Sequence, residues 1–378
     1  MRVGILDYAT NGRRSGVEYY TLELIRCLAR QAELSGLIVY TNDPAAVSEI
    51  DPRIIIRKIP GRLFRAFRLL WQHVRLPHLA EADGLDVLHC PAYVMPLLPC
   101  RVPCVITVHD IHALSQPNWC SLGNRLHYGI ALPRSLRRAA GVIAVSQNTR
   151  ESILRHFGPL MNDIRVISPG IDEVFNETRD TIAEERCRRK YDLPEKYILH
   201  VGNIEPRKNL AVAVEAVRHL REMGMDWPLV LAGQVRRQPG SFLARLSEAQ
   251  HCGEVRCLGY VDRCDLPSLY RLAGAFLCVS RHEGFGFPPL EAMACGTPVV
   301  SSMTGAMAQT LGDAAMAVNV DDAQAVANAL LAVLFDESLR DRLRREGLRQ
   351  AAGFRWDKSV AKLLDVYKEA ATASRTIA

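Results

Sequence analysis

Short apolar runs alternate with amphipathic helical patterns along the whole chain, which predicts an α/β fold built on parallel sheets. Three clear helices are predicted at Val17–Arg30, Asn209–Leu220 and Asp322–Phe335. The runs that predict strands in the first half are Val3–Leu6, Leu37–Tyr40, Ile54–Ile56, Val87–Leu88, Val105–Val108, Gly141–Val145 and Arg165–Ile167. Those in the second half are Ile198–Val201, Leu229–Ala232, Val255–Cys257, Ala275–Val279 and Pro298–Val300.

The two sets of strands predict two domains, and a chain of 378 residues is long enough for two separate cores. The turn residues of Ser168-Pro-Gly-Ile-Asp172 predict a crossover, and the stretch after them is polar and charged with few apolar residues. We therefore predict a first domain over 1–172, a linker over 173–189 and a second domain over 190–355.

A glycine loop between a strand and a helix is predicted within residues 281–300. Gly284 and Gly286 let the backbone approach a ligand closely, and the helix start after them offers N–H groups and a positive dipole end to a phosphate. Glu283 lies in the same loop, where a carboxylate would repel an anion. A sugar attached to a diphosphate explains both features, because its hydroxyls suit the acid. The predicted first turn and end of the helix are marked by Pro288-Pro289 and Gly296.

A second loop suited to an anion follows the predicted strand at 198–201. Arg207 and Lys208 lie beside a predicted helix start at the carboxyl edge of the sheet, with Asn209 as a candidate N-cap. A guanidinium offers phosphate a two-pronged hydrogen-bonding fork, and an ammonium adds a point charge. An isolated Arg-Lys pair is as often a solvated turn, but two anion-suited loops in one domain favour binding.

Composition narrows the class of protein. Apolar residues make up 48% of the chain and charged residues 23%, as in ordinary soluble globular proteins. No run of 18 apolar residues predicts a membrane span, and the N-terminus does not resemble a signal peptide. Eleven scattered cysteines without a CxxC pair favour reduced thiols in the cytoplasm over a zinc site. Nicotinamide and P-loop chemistry are disfavoured because neither glycine fingerprint is present.

The net charge of +6 is uneven, because residues 57–75 carry basic side chains and no acidic one. Residues 61–75 have the pattern of a helix with Arg62, Arg65 and Arg68 among apolar side chains that include Trp71. Such a helix suits an anionic membrane surface or an anionic lipid acceptor. It equally suits a surface helix that packs its apolar side inward, so both interpretations stay open. Nucleic acid is disfavoured, since no binding motif accompanies the charge.

A histidine and a carboxylate, His109 and Asp110, stand at the end of a predicted strand, and His112 follows them. One interpretation is that His109 lines the cleft between the domains. The alternatives are a metal ion shared by the three side chains and a purely structural histidine.

Together these motifs resemble the retaining glycosyltransferases of family 4, which have the GT-B fold. The most specific element is Glu283-Gly-Phe-Gly-Phe-Pro-Pro-Leu-Glu291, which matches the two-glutamate motif of that family. The resemblance implies two Rossmann-like, doubly wound parallel-sheet domains that face each other across a cleft, with a last helix over 356–378 that returns to the first domain. Matching segments cover nearly the whole chain in the expected order: Ser15-Gly16, His109-Asp110, Val145-Ser146, Ser168–Asp172, Val201–Asn209 and Leu258–Asp262.

The resemblance also implies how a nucleotide-sugar donor is bound. Arg207 and Lys208 would hold its diphosphate, with no metal ion or other cofactor. The backbone groups that would assist them are those of Gly284, Phe285 and Gly286 in the second domain, with Gly16 or Gly12 in the first.

Four further roles follow from the same resemblance. Glu283 would bind hydroxyls of the transferred sugar, and Glu291 would bind the ribose diol. Val261, together with Tyr260, would cradle the base. His109 would sit near the anomeric centre.

The expected reaction is transfer of a hexose, with retention, from a nucleoside-diphosphate sugar to a polysaccharide or lipid-linked oligosaccharide. The residues of these motifs look most like those of bacterial mannosyltransferases of polysaccharide or O-antigen assembly. This resemblance favours GDP-mannose over a UDP-sugar as the donor. Front-face attack is favoured, because no carboxylate of the first domain stands out as a nucleophile. The alternatives are a sugar-nucleotide epimerase, a sucrose-type synthase and a non-catalytic sugar-nucleotide-binding protein. We expect a cytoplasmic protein, with peripheral contact at the inner membrane face if the basic segment binds lipid.

Overall fold

The computed structural model describes residues 1–8, 16–60, 70–116, 122–159, 163–236 and 238–377. Contacts divide the chain into two compact units. The first unit comprises Met1–Gly170 and Arg355–Ala378, and the second comprises Ile171–Phe354. Among the described residues, each unit has one parallel sheet.

The sheet of the first unit has seven strands: β1 (Arg2–Asp7), β2 (Gly36–Thr41), β3 (Ile55–Lys58), β4 (Val87–Cys90), β5 (Cys104–Val108), β6 (Gly141–Ala144) and β7 (Ile164–Val166). Their order is β3-β2-β1-β4-β5-β6-β7. The described helices of this unit are α1 (Gly16–Ala29), α2 (Pro44–Ser48), α3 (Leu76–Ala82), α4 (His112–Ser115), α5 (Leu122–Arg138), α6 (Gln147–Phe157) and α15 (Trp356–Ile377), with a π-helical turn at Trp71–Arg75.

The sheet of the second unit has six strands: β8 (Ile198–Val201), β9 (Leu229–Ala232), β10 (Val255–Gly259), β11 (Ala275–Cys278), β12 (Val299–Ser302) and β13 (Met316–Val318). Their order is β10-β9-β8-β11-β12-β13. Its described helices are α7 (Thr181–Lys190), α8 (Leu210–Glu222), α9 (Gly240–His251), α10 (Leu266–Leu272), α11 (Phe287–Ala294), α12 (Met307–Leu311), α13 (Ala323–Phe335) and α14 (Glu337–Ala352). Short 3₁₀ turns lie at Pro206–Lys208, Arg263–Asp265 and Gly312–Ala314.

Both sheets are doubly wound in the Rossmann manner, which confirms the predicted fold class for each unit. The strand order reverses between β1 and β4 in the first unit and between β8 and β11 in the second. Loops leave the carboxyl ends of such a pair in opposite directions and open a crevice, where α/β sheets bind ligands. The loops after β8 and β11 contain Arg207, Lys208 and Glu283.

The predicted strands are all confirmed, with ends within two residues of those observed. The sequences of these strands are continuous apolar runs because parallel strands are buried on both faces. Leu229, Leu231 and Leu277, for example, are fully buried in the core of the second unit. The edge strand β13 was missed because it has only three residues and all are at least partly exposed.

The predicted linker at 173–189 is wrong for its second half. Residues Thr181–Lys190 form helix α7, which packs against α10 within the second unit. The charged sequence of this helix did not indicate that one of its faces is buried. Cys187 is fully buried, and buried Glu184 accepts a hydrogen bond from Arg271 Nε at 3.0 Å. Ion pairs thus satisfy the polar groups that suggested a solvated segment.

The last helix, α15, belongs to the first unit, where it contacts α1 and strands β4, β5 and β6. Val366 packs over Gly141, where an added Cβ would lie only 2.8 Å from the valine Cγ1. Buried Tyr367 places its hydroxyl 2.6 Å from His89 Nδ1. A side chain larger than hydrogen at position 141 would therefore displace this helix.

Candidate functional site

Four charged side chains converge at the switch point of the second sheet. Arg207 Nη1 donates to Glu283 Oε2 at 2.7 Å, and Lys208 Nζ donates to Glu283 Oε1 at 2.6 Å. Arg207 Nη2 also donates to Glu205 Oε1 at 2.7 Å. The cluster therefore holds two positive and two negative charges, and Glu283 is its centre.

The chain places the two cations by local structure. Pro206–Lys208 form a 3₁₀ turn directly before α8, so both side chains stand beside a helix start as predicted. Asn209 occupies the N-cap position, but the predicted side-chain cap is wrong. Its φ of 53° puts it in the left-handed region, and its Nδ2 donates to the Val320 carbonyl at 2.6 Å. The N–H of Arg281 donates to the Arg207 carbonyl at 2.9 Å, which joins the two loops.

Glu283 is only 8% exposed, although it carries two ion pairs. Burial alone would raise the pKa of its carboxyl, but the charges of Arg207 and Lys208 outweigh it and hold that pKa well below the usual range. The Lys208 side chain is 8% exposed and the Arg207 side chain 16%. Breaking such a buried pair is costly, because the remaining charge loses its partner.

The glycine loop after β11 leads into α11 as the sequence predicts. Gly286 lies at the N-cap position with φ of 100°, and prolines occupy the first turn. An added Cβ at Gly286 would lie 2.7 Å from Met307 Sδ, so both its conformation and its space require glycine. Phe285 is buried, and its ring meets those of Phe287 and Phe354 edge-on. The packed ring holds the loop backbone in place.

Sequence reasoning missed the loop after β12, which contacts the backbone of Glu283. An added Cβ at Gly305 would lie 2.6 Å from the Glu283 carbonyl oxygen, and the Ala306 N–H donates to that oxygen at 2.9 Å. Ser302 Oγ and Thr304 Oγ1 both donate to the Ser280 carbonyl, at 2.7 and 2.6 Å. The signal was present as the run Ser301-Ser-Met-Thr-Gly305 directly after a predicted strand.

Glu291 lies on α11 with partners of its own. Its Oε2 accepts a hydrogen bond from Tyr270 Oη at 2.8 Å, and its Oε1 lies 3.7 Å from Arg263 Nη1. Burial raises the pKa of Glu291, and the nearby Arg263 opposes that rise. The two glutamates of the motif thus have separate sets of partners. The described contacts join Glu283 to the loop cations and Glu291 to the end of β10.

The residue predicted to cradle a base lies at the carboxyl end of the edge strand β10. Val261 is 7% exposed, and the preceding turn is made by Gly259 with φ of 67°. The strand order places β10 two positions from β8 in the same sheet. Arg207, Lys208, Val261 and both glutamates are therefore all at or near one edge of the second unit.

His109 lies directly after β5 of the first unit, at 6% exposure. Its Nε2 is 2.8 Å from the Pro91 carbonyl oxygen, which can only accept, so Nε2 carries a proton. Burial lowers the pKa of His109, which favours the neutral ring. Tyr20 contacts the ring edge-on at 4.7 Å between centroids.

The metal alternative at His109, Asp110 and His112 gains no support from these contacts. His112 Nδ1 pairs with Asp110, while His109 Nε2 faces a backbone carbonyl. Across the part of the chain that the structure describes, no group of three or more His, Cys, Asp or Glu side chains is arranged to hold a metal ion.

Gly16 opens α1 of the first unit and is exposed, with space around its Cα for a close approach. Its alternative, Gly12, lies outside the described residues, as do Arg62, Arg65 and Arg68 of the basic segment. Trp71 begins the π-helical turn and packs, partly buried, against the core of the first unit. Among the described residues, no helix is both long and apolar enough to cross a bilayer.

Two family models match most of the chain. The model for glycosyl transferases group 1 matches residues 182–350, and that for glycosyltransferase family 4 matches residues 14–175. O-antigen chain mannosyltransferase B of Escherichia coli is 30% identical over 373 residues, which cover 94% of this chain and 96% of that protein. A D-inositol 3-phosphate glycosyltransferase of Salinispora tropica is 35% identical over 414 residues, which cover 97% of this chain and 83% of that protein.

The structure is also similar to solved structures. The crystal structure of Anabaena HepE in complex with UDP-glucose has a TM-score of 0.74 and 18% sequence identity, and the match covers 96% of this chain and 99% of that one. At this identity the similarity concerns the fold alone.

Proposed function

Because the chain belongs to the glycosyltransferases of group 1 and family 4 and has their GT-B fold, we propose that it transfers mannose from GDP-mannose, with retention, to a polysaccharide or lipid-linked oligosaccharide. The observation that carries the proposal is the buried cluster of Arg207, Lys208 and Glu283 at the switch point of the second sheet. It joins charges suited to a diphosphate with a carboxylate suited to sugar hydroxyls.

The proposed mechanism follows from the charge that develops on the leaving group. Departure of a nucleoside diphosphate places negative charge beside Arg207, Lys208 and the loop N–H groups, and fixed donors at such a position stabilise a transition state. Glu283 holds hydroxyls of the transferred sugar, and Glu291 holds the ribose diol. The departing phosphate takes the acceptor's proton in a front-face attack. No metal ion takes part, so the reaction should proceed in the presence of EDTA.

The choice of mannose and guanine rests on the relatives. The Escherichia coli relative is an O-antigen chain mannosyltransferase, and its similarity extends over nearly the whole of both chains. A UDP-sugar is the second candidate, because HepE, of similar fold, was crystallised with UDP-glucose. The roles of His109 and Gly16 stay predictions.

A panel of nucleotide sugars should identify the donor. At one hundred times its Kd, the donor stabilises the folded protein by about 2.7 kcal/mol, which raises the melting temperature by roughly 5–10 °C for a domain of this size. We expect GDP-mannose to give the largest rise, followed by UDP-glucose and other UDP-sugars. The measurement is differential scanning fluorimetry with each compound at equal concentration.

A transfer assay with the labelled donor then separates the alternatives. Label appearing in a new glycan supports a transferase, whereas isomerised donor indicates an epimerase. Label appearing in a free disaccharide indicates a sucrose-type synthase. A thermal shift without any product indicates a non-catalytic binding protein. If none of the nucleotide sugars shifts the melting temperature, the donor-site assignment is wrong.

We also propose peripheral contact with an anionic membrane through the first unit. Leu70, Leu98 and Ile130 are exposed to 57%, 45% and 46%, respectively. Their segments are neighbours, because Arg138 donates to the Leu98 carbonyl and the rings of His73 and His127 lie 6.0 Å apart. Leu70 lies within the basic segment in the sequence, and exposed apolar side chains combined with basic ones are typical of peripheral membrane proteins.

Replacing Arg62, Arg65 and Arg68 together by glutamine should weaken binding to phosphatidylglycerol vesicles by roughly 10²-fold, at about 1 kcal/mol for each charge near the surface. Vesicle co-sedimentation measures this. The matched control is the triple replacement of the exposed arginines Arg342, Arg345 and Arg349 on α14. Equal binding by both triple variants would rule out the basic segment as the membrane contact.

A further inference from the structure

Arg263 lies between two largely buried carboxylates at the end of β10. Its Nη2 donates to Asp172 Oδ2 at 3.0 Å, and its Nη1 lies 3.7 Å from Glu291 Oε1. The side chains of Asp172 and Glu291 are 10% and 9% exposed, and that of Arg263 is 21% exposed. One guanidinium thus serves as counter-charge to two acids.

Aromatic packing fixes the orientation of this group. The Arg263 guanidinium carbon lies 5.1 Å from the centre of the Phe175 ring. Phe175 in turn meets Tyr270 edge-on at 5.8 Å, and Tyr270 donates its hydroxyl to Glu291 Oε2 at 2.8 Å. Phe175 thus contacts Arg263, Tyr270 contacts Glu291, and the two rings pack against each other.

The two carboxylates lie at different distances from the Arg263 guanidinium. Asp172 takes a direct hydrogen bond, whereas the 3.7 Å separation from Glu291 is longer than a hydrogen bond. At that distance Arg263 attracts the Glu291 carboxylate without occupying its Oε1. The arrangement lowers the cost of a buried charge and keeps an oxygen able to accept from a ligand hydroxyl.

The groups that face Glu291 are Arg263, Tyr270, Asp172 and Cys295. Burial raises the pKa of Glu291, Arg263 lowers it, and the negative charge of Asp172 raises it. Burial also raises the pKa of Tyr270 well above its usual range and that of Cys295 to about 12, so both are neutral. Arg263 is the one positive charge among these four groups.

We propose that Arg263 is a positioning residue of the donor site, which keeps Glu291 ionised and aimed so that it accepts hydrogen bonds from the ribose hydroxyls of the nucleotide. The inference rests on the proposed function, because it takes a nucleoside diphosphate as the ligand. It extends the proposed donor site to Arg263 and Asp172, which then act on the nucleotide through Glu291.

The ribose hydroxyl provides a direct test. We would measure, by calorimetry, the binding of GDP and UDP and of their 2′-deoxy forms to the wild type and to Arg263→Gln. A hydrogen bond to a charged group contributes a factor of about 10–100 in affinity, so the wild type should prefer the ribonucleotide by that factor. In Arg263→Gln we expect the preference to fall towards one, and to fall further at lower pH as Glu291 takes up a proton.

Two further variants separate charge from packing. Arg263→Lys keeps the positive charge and should retain most of the preference. Asp172→Asn in the Arg263→Gln background removes the remaining repulsion of Glu291, and we expect it to restore part of the preference at neutral pH. Melting temperatures, measured in parallel, show whether each variant is folded.

The outcomes distinguish this inference from the function on which it rests. If the wild type binds neither nucleotide, both fail. If the wild type discriminates and Arg263→Gln weakens ribo and deoxy forms equally, Arg263 only supports the fold and the inference is wrong. If Arg263→Gln fails to fold, Arg263→Met takes its place, because it also removes the charge: a preference unchanged from the wild type across pH would overturn the role, and a preference that falls towards one would support it.

Discussion

Replacing Arg207 or Lys208 by alanine should reduce turnover by about 10²-fold or more, an effect comparable to the loss of one donor that stabilises a developing anion. Both side chains are largely buried, and both reach the carboxylate of Glu283 at hydrogen-bonding distance. In the proposed reaction, largely buried and fixed charges act strongly on a leaving diphosphate. Initial rates at saturating donor, with a labelled sugar, measure the effect as a fall in kcat.

The control for these variants is Arg245→Ala. Arg245 also belongs to the second unit and also pairs with a glutamate, Glu215, but its side chain is 46% exposed. Exposed ion pairs contribute little, so this variant should keep wild-type turnover. Near-normal turnover in both Arg207→Ala and Lys208→Ala would show that these two residues do not hold the diphosphate, whatever the donor.

The residue types of this cluster were predictable from the sequence, because each follows a buried strand. Arg207 and Lys208 come after β8 and Glu283 after β11, and adjacent parallel strands end at the same edge of a sheet. The glycines were predictable for the same local reason, since a strand-to-helix turn needs positive φ at Gly286. Periodicity and turn chemistry are properties of short segments, so they can be predicted without knowledge of the tertiary structure.

The pairing within the cluster was not predictable. The sequence suggested that Glu283 reads the sugar while the two cations hold the diphosphate, as separate tasks. In the structure, Glu283 also binds both cations, across 75 and 76 positions of the chain. Such a contact depends on the strand order and on the loop after β12, where Gly305 lets the backbone approach Glu283. Neither is visible in a local pattern.

The pairing changes what donor binding requires. A diphosphate that engages Arg207 and Lys208 must take these cations from Glu283, at least in part. In the proposed complex, the carboxylate released in this exchange accepts hydrogen bonds from the sugar hydroxyls. While Glu283 is paired, burial raises the pKa of its carboxyl, but Arg207 and Lys208 hold that pKa well below the usual range. Exchange of one acid for another keeps the buried charges paired before and after binding, which limits the cost of desolvation.

Glu283→Gln should therefore separate nucleotide binding from sugar transfer. Without the carboxylate, the two buried cations have lost their main partner, which costs roughly 3–5 kcal/mol of stability. A nucleoside diphosphate would replace that partner without competition, so we expect a lower melting temperature in its absence, a larger rise on adding GDP or UDP, and tighter binding of the nucleotide. Transfer should fall by about 10²-fold, because the sugar hydroxyls lose a charged acceptor.

Glu205→Gln is the matched control for this exchange, since Glu205 also pairs with Arg207 but is more exposed, at 29% against 11% for the side chain of Glu283. It should change both nucleotide affinity and transfer by less than Glu283→Gln. Calorimetry with GDP and UDP, and initial rates with the labelled donor, measure the two quantities on the same preparations. Unchanged nucleotide affinity in Glu283→Gln would show that the carboxylate does not compete with the diphosphate. Transfer at the wild-type rate would show that it does not hold the sugar, because a neutral amide cannot replace an ionised acceptor at full strength.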